Sequence, residues 1–201
     1  MDYAVVDLET TGLDPHRDRI VEVGVVLLNQ KLEQEAFFTS IVNPQVAVSA
    51  THIHHIDDQG VANAPTFSQL LPSLIKLFNH RILIAHNVVF DMAFLNCESE
   101  RSALPLNFER HHAVCTMDQS RIYCSDGSHS LAGLAQRLNI ETPIIHRALP
   151  DALTCAELFR YYVQAEARGL RVTHSARNRR GERVQPCEWA RARPWHDRTR
   201  S

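Results

Sequence analysis

Along the first third of the chain, apolar residues come in short runs bounded by polar ones, and later they recur at helical spacing. Tyr3–Leu8, the Val-rich run Ile20–Leu28 with Gly24 inside it, and Phe37–Val42 before Asn43-Pro44 read as strands. Ser49–Asp57 reads as a short helical turn capped by Ser49. The spacing of Phe67, Leu70, Leu71, Leu74, Ile75 and Phe78 predicts a helix over 67–78, with Pro72 starting or kinking it. Ile82–Ala85 reads as a buried strand, followed by a helix from about Val88 to Glu100. Leu131, Leu134, Ala135 and Leu138 predict a helix over 130–138. Pro150–Glu166 is the longest predicted helix, with Pro150 suited to its first position. Early strands, later helices, and helices between the third and fourth strands and after the fourth argue an α/β layered domain.

Composition narrows the class. With 201 residues, 44% apolar and 22% charged, the chain can bury a core and is neither collagen-like, disulfide-stapled nor wholly disordered. It contains no apolar run approaching a membrane span, and Met1-Asp2-Tyr3 opens without a basic, signal-like segment. A cytoplasmic protein with no membrane attachment is expected. Cys97, Cys115, Cys124, Cys155 and Cys187 are odd in number and widely spaced, so they read as reduced core thiols. His111, His112, Cys115, Cys124 and His129 match no zinc-site spacing.

Charge divides the chain in two. Residues 168–201 hold ten arginines against Glu182, Glu188 and Asp197, a net of +7. The remaining 11 basic and 20 acidic residues leave 1–167 at −9. Apolar periodicity stops after Leu170, so the chain is read as a domain over 1–168 and a disordered Arg-rich tail over 169–201. Such a tail is a solvated terminus, an arm for nucleic acid, or a tether to a partner through Trp189 and Trp195.

Several carboxylates stand at the ends of predicted elements. Asp7 and Glu9 lie two apart in a strand and so project from one face. Two acids side by side repel, and hard divalent ions such as Mg²⁺ or Mn²⁺ would relieve that cost. Asp91 falls in the first turn of the helix after Ile82–Ala85, and Asp151 in the first turn of the longest helix. His146 lies on the loop before Asp151, and histidine is a residue type suited to taking a proton from water. Taken singly, each acid could equally be a solvated element end.

Together, three segments resemble the DEDDh 3′→5′ exonuclease family, which includes the proofreading subunit of bacterial replicative DNA polymerase and RNase T. They are Val6-Asp7-Leu8-Glu9-Thr10-Thr11-Gly12-Leu13, Ile84-Ala85-His86-Asn87-Val88-Val89-Phe90-Asp91, and His146-Arg147-Ala148-Leu149-Pro150-Asp151-Ala152. Ile53-His54-His55-Ile56, Ala64-Pro65-Thr66-Phe67, Cys115-Thr116-Met117 and Ser130-Leu131-Ala132-Gly133-Leu134 are further landmarks, and the resemblance runs from about residue 3 to 163.

The resemblance implies a ribonuclease H-like α/β fold, a central mixed β-sheet flanked by α-helices. It implies that Asp7, Glu9, Asp91 and Asp151 hold two divalent cations, Mg²⁺ or Mn²⁺, with His146 as general base. Thr10, Thr11, Gly12 and Leu13 would hold the 3′-terminal nucleotide, with Leu13 wedged against the terminal bases. His54, Asn87 and Phe90 would complete the substrate pocket. The implied reaction is metal-dependent hydrolysis from the 3′ end of single-stranded or frayed nucleic acid, DNA favoured over RNA, releasing nucleoside 5′-monophosphates. The alternatives are a proofreading or accessory module docked on a DNA polymerase or repair complex through the tail, and an RNA-processing exoribonuclease. In one respect the chain departs from its relatives: His55 stands where they often carry Gly, so a reshaped pocket is expected there.

Overall fold

The computed structural model describes residues 1–142 and 146–197. In chain order its elements begin with strands β1 (Asp2–Thr10), β2 (Ile20–Leu28) and β3 (Gln34–Ile41). Helices α1 (Thr51–His54), α2 (Asp58–Val61) and α3 (Phe67–Phe78) precede strand β4 (Arg81–Ala85). Then come α4 (Val88–Arg101), β5 (Ala113–Cys115), α5 (Thr116–Tyr123), α6 (Leu131–Arg137) and α7 (Ala148–Ala167). The short strands β6 (Ala176–Arg177) and β7 (Arg183–Val184) form a hairpin near the C-terminus.

β1, β2 and β3 form an antiparallel meander, and β4 and β5 extend it in parallel, giving the order β3-β2-β1-β4-β5. Side-chain alternation gives this sheet two buried faces. Ala4, Val6 and Leu8 pack in a core with Phe67, Leu71 and Leu74 of α3 and Phe94 and Leu95 of α4. Tyr3 and Val5 pack on the other face with Ala152, Cys155, Ala156 and Phe159 of α7. Asp7 and Glu9 share the parity of Tyr3 and Val5, so they continue the face that α7 covers.

The expected mixed sheet flanked by helices is present, with local differences. The three-residue strand β5 carries too little pattern to be predicted. Ser49 does not cap α1; its hydroxyl donates to the Thr11 carbonyl, and the helix is entered from Ala50 in the left-handed region (φ 58°). α3 starts at Phe67, where Thr66 and Gln69 form a reciprocal capping box, and it runs through Pro72. α7 starts at Ala148, not Pro150. Pro150 is its third residue, where a missing N–H still forfeits no intrahelical bond.

The C-terminal segment differs most from expectation. The sequence predicts a disordered tail over 169–201, yet Trp195 is 4% exposed, and its indole Nε1 donates to the Leu106 carbonyl at 2.6 Å. Backbone bonds from Trp195 to the Arg81 carbonyl and from His80 to the Trp195 carbonyl fasten it beside the start of β4. Val184 and Ala192 are also buried. A few isolated anchors dock this segment, and isolated anchors leave no periodicity to read. Arg198 and Arg200 lie outside the described residues.

Candidate active site

β1 ends in Asp7 and Glu9, which stand opposite Gly24 and Glu22 on β2. Gly24 has a specific consequence. A Cβ at this position would lie 2.3 Å from the Ala148 carbonyl carbon, so the first turn of α7 can reach the sheet only over glycine. Glu22 then fixes that turn. Its carboxylate, 2% exposed, accepts from Arg147 Nε at 3.0 Å, from the second guanidinium arm at 2.7 Å, and from the Ala148 N–H at 3.0 Å. Arg147 is the residue before the helix and has no side-chain cap of its own. This clamp holds Asp151 one turn further on, facing the end of β1.

Within that arrangement Glu9, His146 and Asp151 offer ligand atoms that all lie within 4.8 Å of one another. The His146 N–H donates to Asp151 Oδ2 at 3.2 Å, and His146 itself is exposed, with φ 59°. Asp91, 4% exposed, comes from the first turn of α4. Burial and the charges of Asp91, Asp151, Glu9 and Glu22 push the Asp7 carboxyl well above the usual range. Burial also pushes Glu9 up to about 7, with Asp151 and Glu22 adding to it and Arg147 opposing. Asp91 is pushed up to about 8, mainly by burial. Asp151 is raised by burial, against the pull of the His146 N–H. The donor set is oxygen-rich, anionic and poorly hydrated, which fits hard divalent cations.

The sequence-predicted substrate residues fall into three groups. Leu13, 84% exposed, lines a groove of about 290 Å³ with Asn87 and Phe90. Thr10 and Thr11 are buried, and their hydroxyls are engaged inside the loop after β1: Thr10 Oγ1 donates to the Gly12 carbonyl at 2.6 Å, and Thr11 Oγ1 donates to Asp18 at 3.2 Å. Gly12 packs against the Asp18 carboxylate, shaping the turn that presents Leu13. His54 is buried below this loop, close to the Ser49 carbonyl (3.2 Å) and accepting the Ile56 N–H (3.1 Å); it lies away from the groove.

His55 explains its own departure from glycine. It ends α1 in the left-handed conformation (φ 59°), a backbone that favours glycine whatever the substrate, and its side chain is exposed. His86 also has a supporting place: its ring bridges Thr116 Oγ1 and the His129 carbonyl, each at 3.0 Å, and burial lowers its pKa to about 4. The five cysteines are free.

Glu22, Gly24 and Arg147 escaped sequence reasoning as site residues. One signal was available, a single acid inside the otherwise apolar run Ile20–Leu28, and it points to a buried partner without naming it.

The ends of β1, α4 and α7 thus bring four carboxylates together beside an exposed imidazole. The Exonuclease family model (RNase T) matches residues 4–159, and the chain belongs to that family. It is 32% identical over 181 residues to DNA polymerase III subunit epsilon of Treponema pallidum, covering 86% of this chain and 82% of that protein. It is also 32% identical over 161 residues to a PolC-type DNA polymerase III of Caldanaerobacter subterraneus, of which it spans only 11%, against 79% of this chain. Among solved structures, the nuclease domain of 3′hExo, a DEDDh family member bound to rAMP, superposes with a TM-score of 0.69 at 23% identity, covering 84% of this chain and 93% of that one. That likeness carries the ribonuclease H-like fold. The family uses divalent metal ions, and among the described residues no helix is long and apolar enough to cross a membrane.

Proposed function

We propose that this exonuclease hydrolyses phosphodiester bonds from the 3′ end of single-stranded or frayed DNA, releasing nucleoside 5′-monophosphates. The observation that carries this reading is the convergence of Asp7, Glu9, Asp91 and Asp151 with His146 at the ends of β1, α4 and α7. Asp7, Glu9, Asp91 and Asp151 would hold two divalent cations, Mg²⁺ or Mn²⁺. When bound, such ions supply Lewis acidity that neutralises phosphate charge and makes water acidic enough to attack.

The chain's own residues do the rest. His146, exposed on its loop, takes a proton from the attacking water at its imidazole, and its backbone N–H holds Asp151 in place. Leu13 and Phe90 give the terminal bases apolar faces, and Asn87 gives the groove a polar edge. DNA is favoured over RNA because the relatives matched over most of this chain are named as DNA polymerase III proteins. The same relatives support association with a DNA polymerase.

The test is a gel assay with 5′-labelled single-stranded DNA and the same sequence as RNA, in Mg²⁺, Mn²⁺ or EDTA, with His146→Ala alongside. The expected result is a ladder shortening from the 3′ end of DNA, absent in EDTA and slowed by about 10²–10⁴-fold in the variant. An undiminished ladder in His146→Ala would refute the assigned base.

A further inference from the structure

The groove beside the acid cluster has a wall that does not come from the body of the domain. Besides Leu13, Asn87 and Phe90 it is lined by Asn178, Arg179 and Arg180, from the loop of the C-terminal hairpin. A larger hollow of about 830 Å³ shares Val89, Asp118, Asn178 and Arg180 with the groove and continues to Arg183. From Ala176 to Val184 the hairpin carries four arginines against Glu182. This is a compact cationic element set on a body whose net charge is −9.

The loop is held in place from several sides. Asn178 Oδ1 accepts the N–H groups of Arg180 and Glu182 at 3.0 Å, and Gly181 takes the left-handed position that closes the turn (φ 79°). Asn178 Nδ2 reaches Asp118 at 3.4 Å, and Gln119 Nε2 donates to the Gln185 carbonyl at 3.0 Å. Val184 is buried against Ile122 and Tyr123 of α5. Arg177 Nη1 donates to the Gly181 carbonyl at 2.6 Å, whereas the heads of Arg179 and Arg180 are available. Arg179 is exposed and has no carboxylate at ion-pair distance among the described residues. Among the described residues the Arg180 head pairs with the solvent-exposed Glu182, and such surface pairs hold weakly.

We propose that this loop is part of the substrate groove, with Arg179 and Arg180 binding phosphates of the nucleotides 5′ of the scissile bond. The proposal rests on the exonuclease reading of the acid cluster, which places the 3′ end at the carboxylates and the rest of the strand outward along the groove. Apolar faces and guanidinium groups lining one groove are what a flexible single strand requires. The anionic body repels the same phosphates elsewhere, so the hairpin supplies the attraction that the domain lacks.

Binding of a 5′-fluorescein 12-mer of deoxythymidine is measured by anisotropy in Mg²⁺, in a His146→Ala background that suppresses cleavage. Arg179→Ala/Arg180→Ala is compared with its parent, and with Lys31→Ala/Arg168→Ala as a control of equal charge at exposed positions away from the groove. Losing two phosphate contacts reduces the slope of log affinity against log salt by about 1.4. The parent therefore weakens about sevenfold more than the variant between 50 and 200 mM salt. The control is expected to follow the parent. Unchanged affinity and slope in the hairpin variant, or an equal loss in the control, overturns the proposal. Cleavage by the wild-type protein is scored separately: its absence alongside a hairpin-dependent affinity refutes the exonuclease reading and leaves the hairpin contact standing.

Discussion

Glu22 is the most informative residue to perturb, because its contacts tie the position of Asp151 to a strand on the far side of the sequence. Replacing it with Gln preserves shape but turns one acceptor oxygen into a donor facing the Arg147 guanidinium. The native carboxylate takes a forked ion pair and the Ala148 N–H while 2% exposed. Arg147 is 42% exposed and can return to water, so the loss is smaller than for a fully buried pair and amounts to about 2 kcal/mol. For a chain of this size that lowers Tm by roughly 4–8 °C. The first turn of α7 then loosens, and a misplacement of about 1 Å at Asp151 costs up to 10²-fold in kcat. Because Glu22 touches no part of the groove lined by Leu13 and Phe90, KM for an oligonucleotide should change little. Removing its negative charge also lowers the pKa of Glu9, so the acidic limb of the pH–activity profile should move to lower pH even as kcat falls. Scanning calorimetry and steady-state kinetics on Glu22→Gln, Arg147→Ala and the double variant provide the check. Wild-type kcat in Glu22→Gln, or strict additivity of the two stability losses, would refute the clamp.

The metal-free protein should lose stability as pH rises. Folded Glu9 titrates at about 7 and Asp91 at about 8, both above their values in an unfolded chain, so the native state holds extra protons that are lost through this window. Melting in EDTA at pH 6.5 and 8.5 keeps clear of the histidines that burial shifts downward; Tm should be lower at 8.5, and added Mg²⁺ should raise it more there. A higher metal-free Tm at pH 8.5 would contradict the assigned burial of these acids. Trp195→Ala removes a buried ring and its bond to the Leu106 carbonyl, an expected loss of about 3–5 kcal/mol that thermal melting would detect. No change in Tm would mean that the C-terminal segment is not docked.

What could be read from the residues alone is local in origin. The continuous Val-rich run Ile20–Leu28, helical spacing in Phe67–Phe78 and the acids at element ends are consequences of near-neighbour geometry, and they lie in the sequence as patterns. The motifs around Asp7, Asp91 and His146 marked the candidate site because each falls at or beside the end of an element. Other features depended on folding, because they join residues distant in the chain: Glu22 clamps Arg147, a backbone 124 residues onward passes over Gly24, and Trp195 closes against Leu106. The C-terminal segment shows the difference most clearly. Its composition is polar and basic, which locally argues for solvation, but Val184, Ala192 and Trp195 are buried against the rest of the domain. Whether such anchors are buried depends on the surface they meet, and only the tertiary structure supplies it.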